Sequence, residues 1–63
     1  MRLDTTNPNY QIDRDDGYQL MRQMKLSGEF YWRAYCPNSQ FITEGSKEQC
    51  IRACKQHKAK EAA

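Results

Sequence analysis

The sequence predicts a small α+β domain in which a three-stranded antiparallel β-meander packs against one C-terminal α-helix. Two observations carry this prediction: aromatic residues alternate along Glu29–Cys36, as in a strand, and Ser46–Gln49 matches the capping box that starts helices. With 63 residues the chain has room for one domain with a thin core. We expect this domain to span residues 10–60, between a flexible arm at 1–9 and a frayed tail at 61–63.

Composition narrows the class of protein. No apolar run is long enough to span a bilayer and no secretory signal is present, so we expect a cytoplasmic protein with no membrane partner. The cysteines number three, which favours free thiols over a disulfide framework. A chain this short has little room for a closed catalytic cavity, so we expect a binding or regulatory protein rather than an enzyme.

The N-terminal stretch predicts no strand. Between residues 4 and 9 the side chains compete for backbone hydrogen bonds, and Pro8 has no amide donor. Tyr10 and Ile12 can anchor the end of this arm against the sheet. Residues 13–17 then read as a turn.

The apolar residues of segment 18–26 fit both the 3.6-residue repeat of a helix and the two-residue repeat of a strand. As a helix capped by Asp15 or Asp16 it aligns three apolar residues, and as a strand it places four on one face. A Ser27-Gly28 step between two alternating runs is a hairpin signal and favours the strand, with a helix, hairpin, helix fold as the alternative. The apolar residues of the strand interpretation are Tyr18, Leu20, Met24 and Leu26.

Loop length sets the register of the predicted hairpin. A three-residue loop at 27–29 puts the larger apolar residues of both strands on one side, which we take as the core. The predicted pairs are Leu26 with Phe30, Met24 with Trp32, and Leu20 with Cys36. Trp32 is then buried. The opposite face carries Tyr31, Arg33 and Tyr35.

The C-terminal half predicts a third strand and a helix. After a turn at 37–39, residues 40–44 form a strand in which Phe41 or Ile42 faces inward. The capping box then starts a helix that runs to about Lys60. We expect three of its residues to face the sheet, namely Cys50, Ile51 and Cys54.

Four side chains have types that suit zinc: Cys36, Cys50, Cys54 and His57. On one helix, however, Cys50 and His57 lie about 10 Å apart along the axis, too far for shared coordination, and no C-x-x-C pair occurs. Cys54 and His57 lack the third group and the oxyanion donors of a nucleophilic site. The acidic run at 13–16 lacks the Gly and terminal Glu of a calcium loop. We therefore predict no metal, no cofactor and no catalytic residue.

The face opposite the predicted core is the candidate binding site. It combines Gln and Arg, whose geometry suits base edges, with Lys for phosphate and Tyr for stacking, and the helix adds basic residues. The same residue types are enriched in protein interfaces, and a polar strand face with tyrosines is also ordinary in small sheets. The candidate binding residues are Gln23, Lys25, Tyr31, Arg33, Tyr35, Lys47, Arg52 and Lys55.

Two functions remain open at this point. One is a small non-enzymatic nucleic-acid-binding or regulatory protein that contacts DNA through the outer sheet face and the basic C-terminal helix. The other is a phage-type accessory protein that binds a host protein and inhibits or redirects it. The free edge of the third strand would also allow a homodimer.

In layout, residues 28–58 resemble the sheet-and-helix DNA-binding modules at the amino end of tyrosine recombinases. The parts are the strand from Gly28 to Arg33, the turn at Pro37 and Asn38, a short strand from Ile42 to Gly45, and a helix from Ser46. The resemblance covers about half of the chain, and it implies DNA binding through the sheet.

Overall fold

A computed structural model describes residues 2–62 and shows an α+β fold of five β-strands and one α-helix. The strands follow one another across the sheet in chain order, each antiparallel to the next. The elements are β1 (Leu3–Asn7), β2 (Tyr10–Asp13), β3 (Gln19–Met24), β4 (Phe30–Tyr35), β5 (Phe41–Gly45) and α1 (Lys47–Ala62). The predicted meander and C-terminal helix are confirmed, but the sheet has five strands instead of three. No helix in this described range is long and apolar enough to cross a membrane.

One additional strand, β1, lies in the predicted flexible arm, and the other, β2, lies where Tyr10 and Ile12 are predicted only to anchor this arm. Pro8 and Asn9 form the turn of a β1–β2 hairpin, and the Asn9 amide donates to the Asn7 side-chain oxygen at 2.9 Å. The Arg14 side chain pairs with Asp4, which joins β1 to the end of β2. The Asp and Asn residues that argue against a strand therefore close and fasten a hairpin.

Within segment 18–26, residues Gln19–Met24 form β3, which confirms the hairpin over the helix. The register is shifted by two residues from the predicted one, because the loop begins one residue earlier. The observed pairs are Met24 with Phe30, Arg22 with Trp32, and Leu20 with Ala34. A shift by two keeps every side chain on its predicted face, so the division into an inner face toward α1 and an outer face stands.

Gly28 determines where this loop lies. Its φ of 91° is in the left-handed region, which the last position of a three-residue hairpin loop adopts and which glycine tolerates at little cost. The loop is therefore 26–28, and the Lys25 amide donates to the Glu29 carbonyl at 2.8 Å to close it. The predicted loop placed Gly28 in its middle. As a result Leu26, predicted to be a core strand residue, is a fully exposed turn residue.

The core lies between α1 and the inner face of the sheet, and it is small. Leu20 is its largest apolar side chain without exposed surface. Trp32, predicted to be buried, only packs against the margin of this core, and Phe30 on the same face is 58% exposed. The buried apolar residues are Tyr18, Leu20, Ala34, Cys36, Cys50 and Cys54.

The predicted capping box at the start of α1 is confirmed. The Ser46 amide donates to Gln49 Oε1 at 3.0 Å, and the Gln49 amide donates to Ser46 Oγ at 3.1 Å. Gly45 precedes the cap with a φ of 147°, a region that favours glycine, and a Cβ there would collide with the Gln49 side chain. Glycine at this position therefore lets β5 turn directly into the helix.

The ends of the C-terminal elements differ little from the prediction. The strand expected at 40–44 is β5, one residue further along. Helix α1 continues through Ala62, so the tail predicted at 61–63 begins inside the helix. Ala63 at one end of the chain and Met1 at the other lie outside the described residues.

Candidate binding face of the sheet

One face of the sheet carries α1, and no element of the described chain covers the other. Side chains alternate between the two faces along each strand, so the register assigns strand residues to one or the other. The outer face, opposite α1, consists of Asp4, Asn7, Tyr10, Ile12, Gln19, Met21, Gln23, Tyr31, Arg33, Tyr35, Phe41 and Glu44. Four of these side chains are aromatic, which makes the outer face an uncovered aromatic surface.

Five of the predicted binding residues lie together on this side of the sheet. Gln23 and Tyr31 are cross-strand neighbours, and Lys25 Nζ lies 5.9 Å from the centroid of the Tyr31 ring. Arg33 and Tyr35 follow along the same strand, with the Arg33 guanidinium carbon 5.8 Å from the Tyr35 ring centroid. The alternation in the sequence thus correctly groups these five side chains in space.

The three predicted helix residues lie on the other side of the sheet. Lys47 Nζ is 5.2 Å from the centroid of the Trp32 ring, which belongs to the inner face. Arg52 and Lys55 are exposed on α1. Because the sheet separates these residues from Arg33 and its neighbours, the two sets do not form one continuous surface.

Arg33 lies at the centre of the outer face and is held there by aromatic rings. Its guanidinium carbon is 5.1 Å from the Phe41 ring centroid, and the Phe41 and Tyr35 rings meet edge to face with their centroids 6.0 Å apart. Cation–π contacts of this kind contribute about 0.5–1 kcal/mol each at exposed sites. Arg33 Nε is buried and has no hydrogen-bond partner among residues 2–62. The side chain therefore has a defined position and an unused donor.

Acidic groups at the N-terminal edge of the sheet are matched within the chain. Hydrogen bonds from Thr6, followed by the Arg14 side chain, hold the pKa of Asp4 well below its usual range. Arg2 Nε lies 2.7 Å from Asp15 Oδ1 and lowers the pKa of that carboxyl. Both acids therefore stay ionised beside their own arginines. The charge at the centre of the outer face is then set by Arg33 and by Glu44, which lies directly across from it.

Several outer-face residues are absent from the predicted binding residues, among them Tyr10, Ile12, Phe41 and Glu44. The first two lie on β2, where Tyr10–Asp13 alternates with a period of two, a signal for a strand. For β5 the sequence left open whether Phe41 or Ile42 faces inward. Ile42 packs against the core and Phe41 is exposed on the outer face.

The β3–β4 hairpin extends beyond its neighbours. β2 pairs with β3 only as far as Met21, and β5 pairs with β4 only as far as Trp32. Residues 23–31 therefore project as a two-stranded ribbon, the hairpin end. Its large apolar side chains are exposed: Met24, Leu26 and Phe30.

The side chains with zinc-binding chemistry fill the core instead of converging. Across residues 2–62, no group of three His, Cys, Asp or Glu side chains is placed to hold an ion. All three cysteines are free thiols, and burial raises the pKa of Cys54 to about 11, which keeps it protonated at neutral pH. His57 Nδ1 lies 2.8 Å from the Tyr18 hydroxyl, and this hydrogen bond joins α1 to the start of β3.

Comparison with known proteins identifies no similar protein. The chain matches no protein-family model, no curated protein and no solved structure. A functional assignment must therefore be argued from the outer face and the hairpin end.

Proposed function

We propose that this chain is a non-enzymatic binding protein that holds a protein partner against the outer face of its sheet. The observation that carries the proposal is the make-up of that face: four aromatic rings, Met21, and an arginine between two of the rings. Aromatic residues, Met and Arg are enriched where proteins meet, whereas Lys, Asp and Glu are depleted there.

The central side chains of this face are already ordered. Ordering a flexible side chain on binding costs about 0.5–1.5 kcal/mol. Arg33, Tyr35 and Phe41 hold one another in place through their ring contacts. A partner that contacts them therefore gains interaction energy without much of this loss.

The size of the face indicates a modest interface. Five strands spaced by about 4.8 Å, each rising by about 3.3 Å per residue, give a patch of roughly 19 Å by 17 Å. This is smaller than the roughly 800 Å² per partner of a standard stable complex. We expect a reversible complex, or one in which the partner also contacts the hairpin end.

A second candidate function, contact with DNA, is favoured by the hairpin end. A sheet roughly 19 Å wide is too broad for a major groove of about 12 Å, but a two-stranded ribbon fits one. The hairpin end carries Gln23, Lys25 and Tyr31, residue types that contact base edges, phosphates and stacked bases. The location of Arg52 and Lys55 behind the sheet, and the mixed charge around Arg33, weigh against tight binding to phosphate.

The cysteines bear on where such a protein acts. All three are free thiols buried between α1 and the sheet, and a reducing compartment keeps them so. We therefore place the proposed activity in the cytoplasm, where a phage-type accessory protein would meet its host partner.

Affinity capture with two matched arginine variants tests the proposal. Arg33→Ala removes the centre of the outer face, and Arg52→Ala removes the same side chain from the exposed side of α1. From a nuclease-treated cell lysate, we expect the unaltered chain and Arg52→Ala to retain one stoichiometric protein. We expect Arg33→Ala to retain at least about tenfold less, as loss of a central contact residue does. Equal capture by all three chains would show that the outer face is not the contact surface.

A titration with labelled duplex DNA at low salt separates the second candidate from the first. Saturable binding that weakens in Lys25→Ala, together with no captured protein, would replace the protein partner with DNA. Thermal melting of each variant confirms that it is folded before its binding is compared.

A further inference from the structure

A cleft on the other side of the molecule lies between α1 and the turn that joins β2 to β3. Its volume is about 300 Å³, and its walls include the Tyr18 ring, Cys54 and Ala59. Asp13 also lines it, with Asp16 and Lys58 nearer to solvent. The outer face and the hairpin end contain none of these residues, so an inference about the cleft does not depend on binding at either surface.

Asp13 is a buried carboxylate of which only one oxygen is engaged. Oδ1 accepts hydrogen bonds from the backbone amides of Arg2 at 3.1 Å and Asp15 at 3.0 Å. Oδ2 is buried and, within the described chain, has no hydrogen-bond partner, and the residue as a whole is 1% exposed. A buried carboxyl oxygen without a hydrogen-bond donor destabilises a fold. A ligand can supply the hydrogen-bond donor that Asp13 Oδ2 lacks.

The other ionisable groups of the cleft are paired with each other, neutral or exposed to solvent. Lys58 Nζ lies 2.7 Å from Asp16 Oδ2, and this contact raises the pKa of Lys58. Cys54 remains a neutral thiol because burial raises its pKa to about 11. Lys55 also borders the cleft, but it is exposed to solvent, where salt screens its charge. The acceptor left without a donor is Asp13 Oδ2, and a cationic donor matches a carboxyl oxygen.

We propose that this cleft binds a primary ammonium group on a short apolar stem. The ammonium donates to Asp13 Oδ2, and the stem lies against Tyr18 and Ala59. The cleft, at about 300 Å³, is far larger than the roughly 30 Å³ that one water molecule occupies in the liquid. To admit the ammonium group, the Lys58 side chain, which also lines the cleft, moves aside. That side chain is 58% exposed and held at its tip by one ion pair, a contact of little strength at such exposure.

An NMR titration of the labelled chain with n-butylammonium tests the proposal, and n-butanol serves as the neutral molecule of equal length. We expect saturable shifts of the amide signals at and beside Asp13, Tyr18 and Ala59 with the amine. The alcohol should bind at least about tenfold more weakly, because it brings no charge to the carboxylate.

Two acid-to-amide variants test whether n-butylammonium binds at Asp13. Asp13→Asn keeps the oxygen that accepts from the backbone and replaces the other, and it should lower the affinity for n-butylammonium at least about tenfold. Asp15→Asn removes the same charge from a position outside the cleft, and its affinity should stay within about twofold. If Asp13→Asn does not fold, the affinities of the unaltered chain for n-butylammonium and n-butanol decide whether the proposal stands.

The ammonium group has two sources, a free alkylamine or a lysine side chain of a partner protein. N-acetyl-lysine N-methylamide distinguishes them. Its binding, with the same dependence on Asp13, assigns the cleft to a lysine side chain, whereas binding of n-butylammonium alone assigns it to a free amine. Equal affinity for amine and alcohol, unchanged affinity in Asp13→Asn, or the absence of saturable shifts overturns the proposal.

Discussion

Replacing Leu20 with alanine removes the largest fully buried apolar side chain of a very small core. Leu20 is 0% exposed and lies opposite Ala34, in one cluster with Cys50 and Cys54. Buried Leu→Ala changes cost about 2.7–5 kcal/mol. At about 0.05–0.15 kcal/mol per residue, a chain of 63 residues has a free energy of unfolding of roughly 3–9 kcal/mol. We therefore expect Leu20→Ala to remove a third or more of the stability.

Leu26→Ala is the matched control, because it removes the same atoms from the same hairpin. Leu26 is fully exposed at the turn, so its loss should change the free energy of unfolding by less than about 0.5 kcal/mol. The comparison also tests the register. With the loop at 27–29, Leu26 would pair with Phe30 in the core, and both substitutions would destabilise the chain.

Urea denaturation followed by circular dichroism and Trp32 fluorescence measures both variants. The indole packs at the margin of the core, so its emission should change on unfolding. Linear extrapolation gives the free energies in water. Similar losses in the two variants, or a loss below about 1 kcal/mol in Leu20→Ala, would refute the observed register and the position of the core.

Two further predictions concern the helix. Ser46→Ala should lower the free energy of unfolding by about 0.5–2 kcal/mol in the same urea assay, because the Gln49 amide loses its acceptor, while Ser27→Ala in the exposed turn should have little effect. An equal loss from both serines would contradict the capping role. Stability should also fall as pH rises from 9, the ordinary thiol pKa, through about 11, the raised pKa of Cys54, because the folded chain holds this proton more tightly than the unfolded chain does. In thermal melts from pH 8 to 11 Cys54→Ala should show a smaller fall, and an unchanged fall would rule out this thiol as its cause.

The sequence predicts well what depends on near neighbours. The capping box needs only Ser46 and Gln49, three residues apart, and the faces of β4 follow from alternation alone. The register of the hairpin depends instead on which loop position takes the left-handed backbone, and that position belongs to Gly28. When only the loop length is considered, the predicted loop lies one residue too late in the chain. The side chains of the two strands nevertheless keep their predicted faces.

The predicted sheet residues and helix residues do not share one surface, and the alternation of side chains along β4 explains why. The period of two that turns Arg33 outward turns Trp32 toward α1, where Lys47 lies over its ring. Basic residues on that helix therefore lie behind the sheet from Arg33. The strand part of the predicted site forms a cluster because it depends on one strand pair, whereas the helix part required a surface that the packing of α1 divides.

Strand β2 gives both proposals a common origin. A sheet face that meets only water is expected to carry polar side chains, with apolar ones turned toward the core. β2 has the reverse arrangement: Gln11 and Asp13 are buried on the inner side, while Tyr10 and Ile12 point to the outer face. A sequence-based prediction that places the apolar side of every strand in the core therefore does not identify β2. The reverse arrangement adds apolar surface where a partner is proposed to bind, and it buries the carboxylate for which an ammonium ligand is proposed.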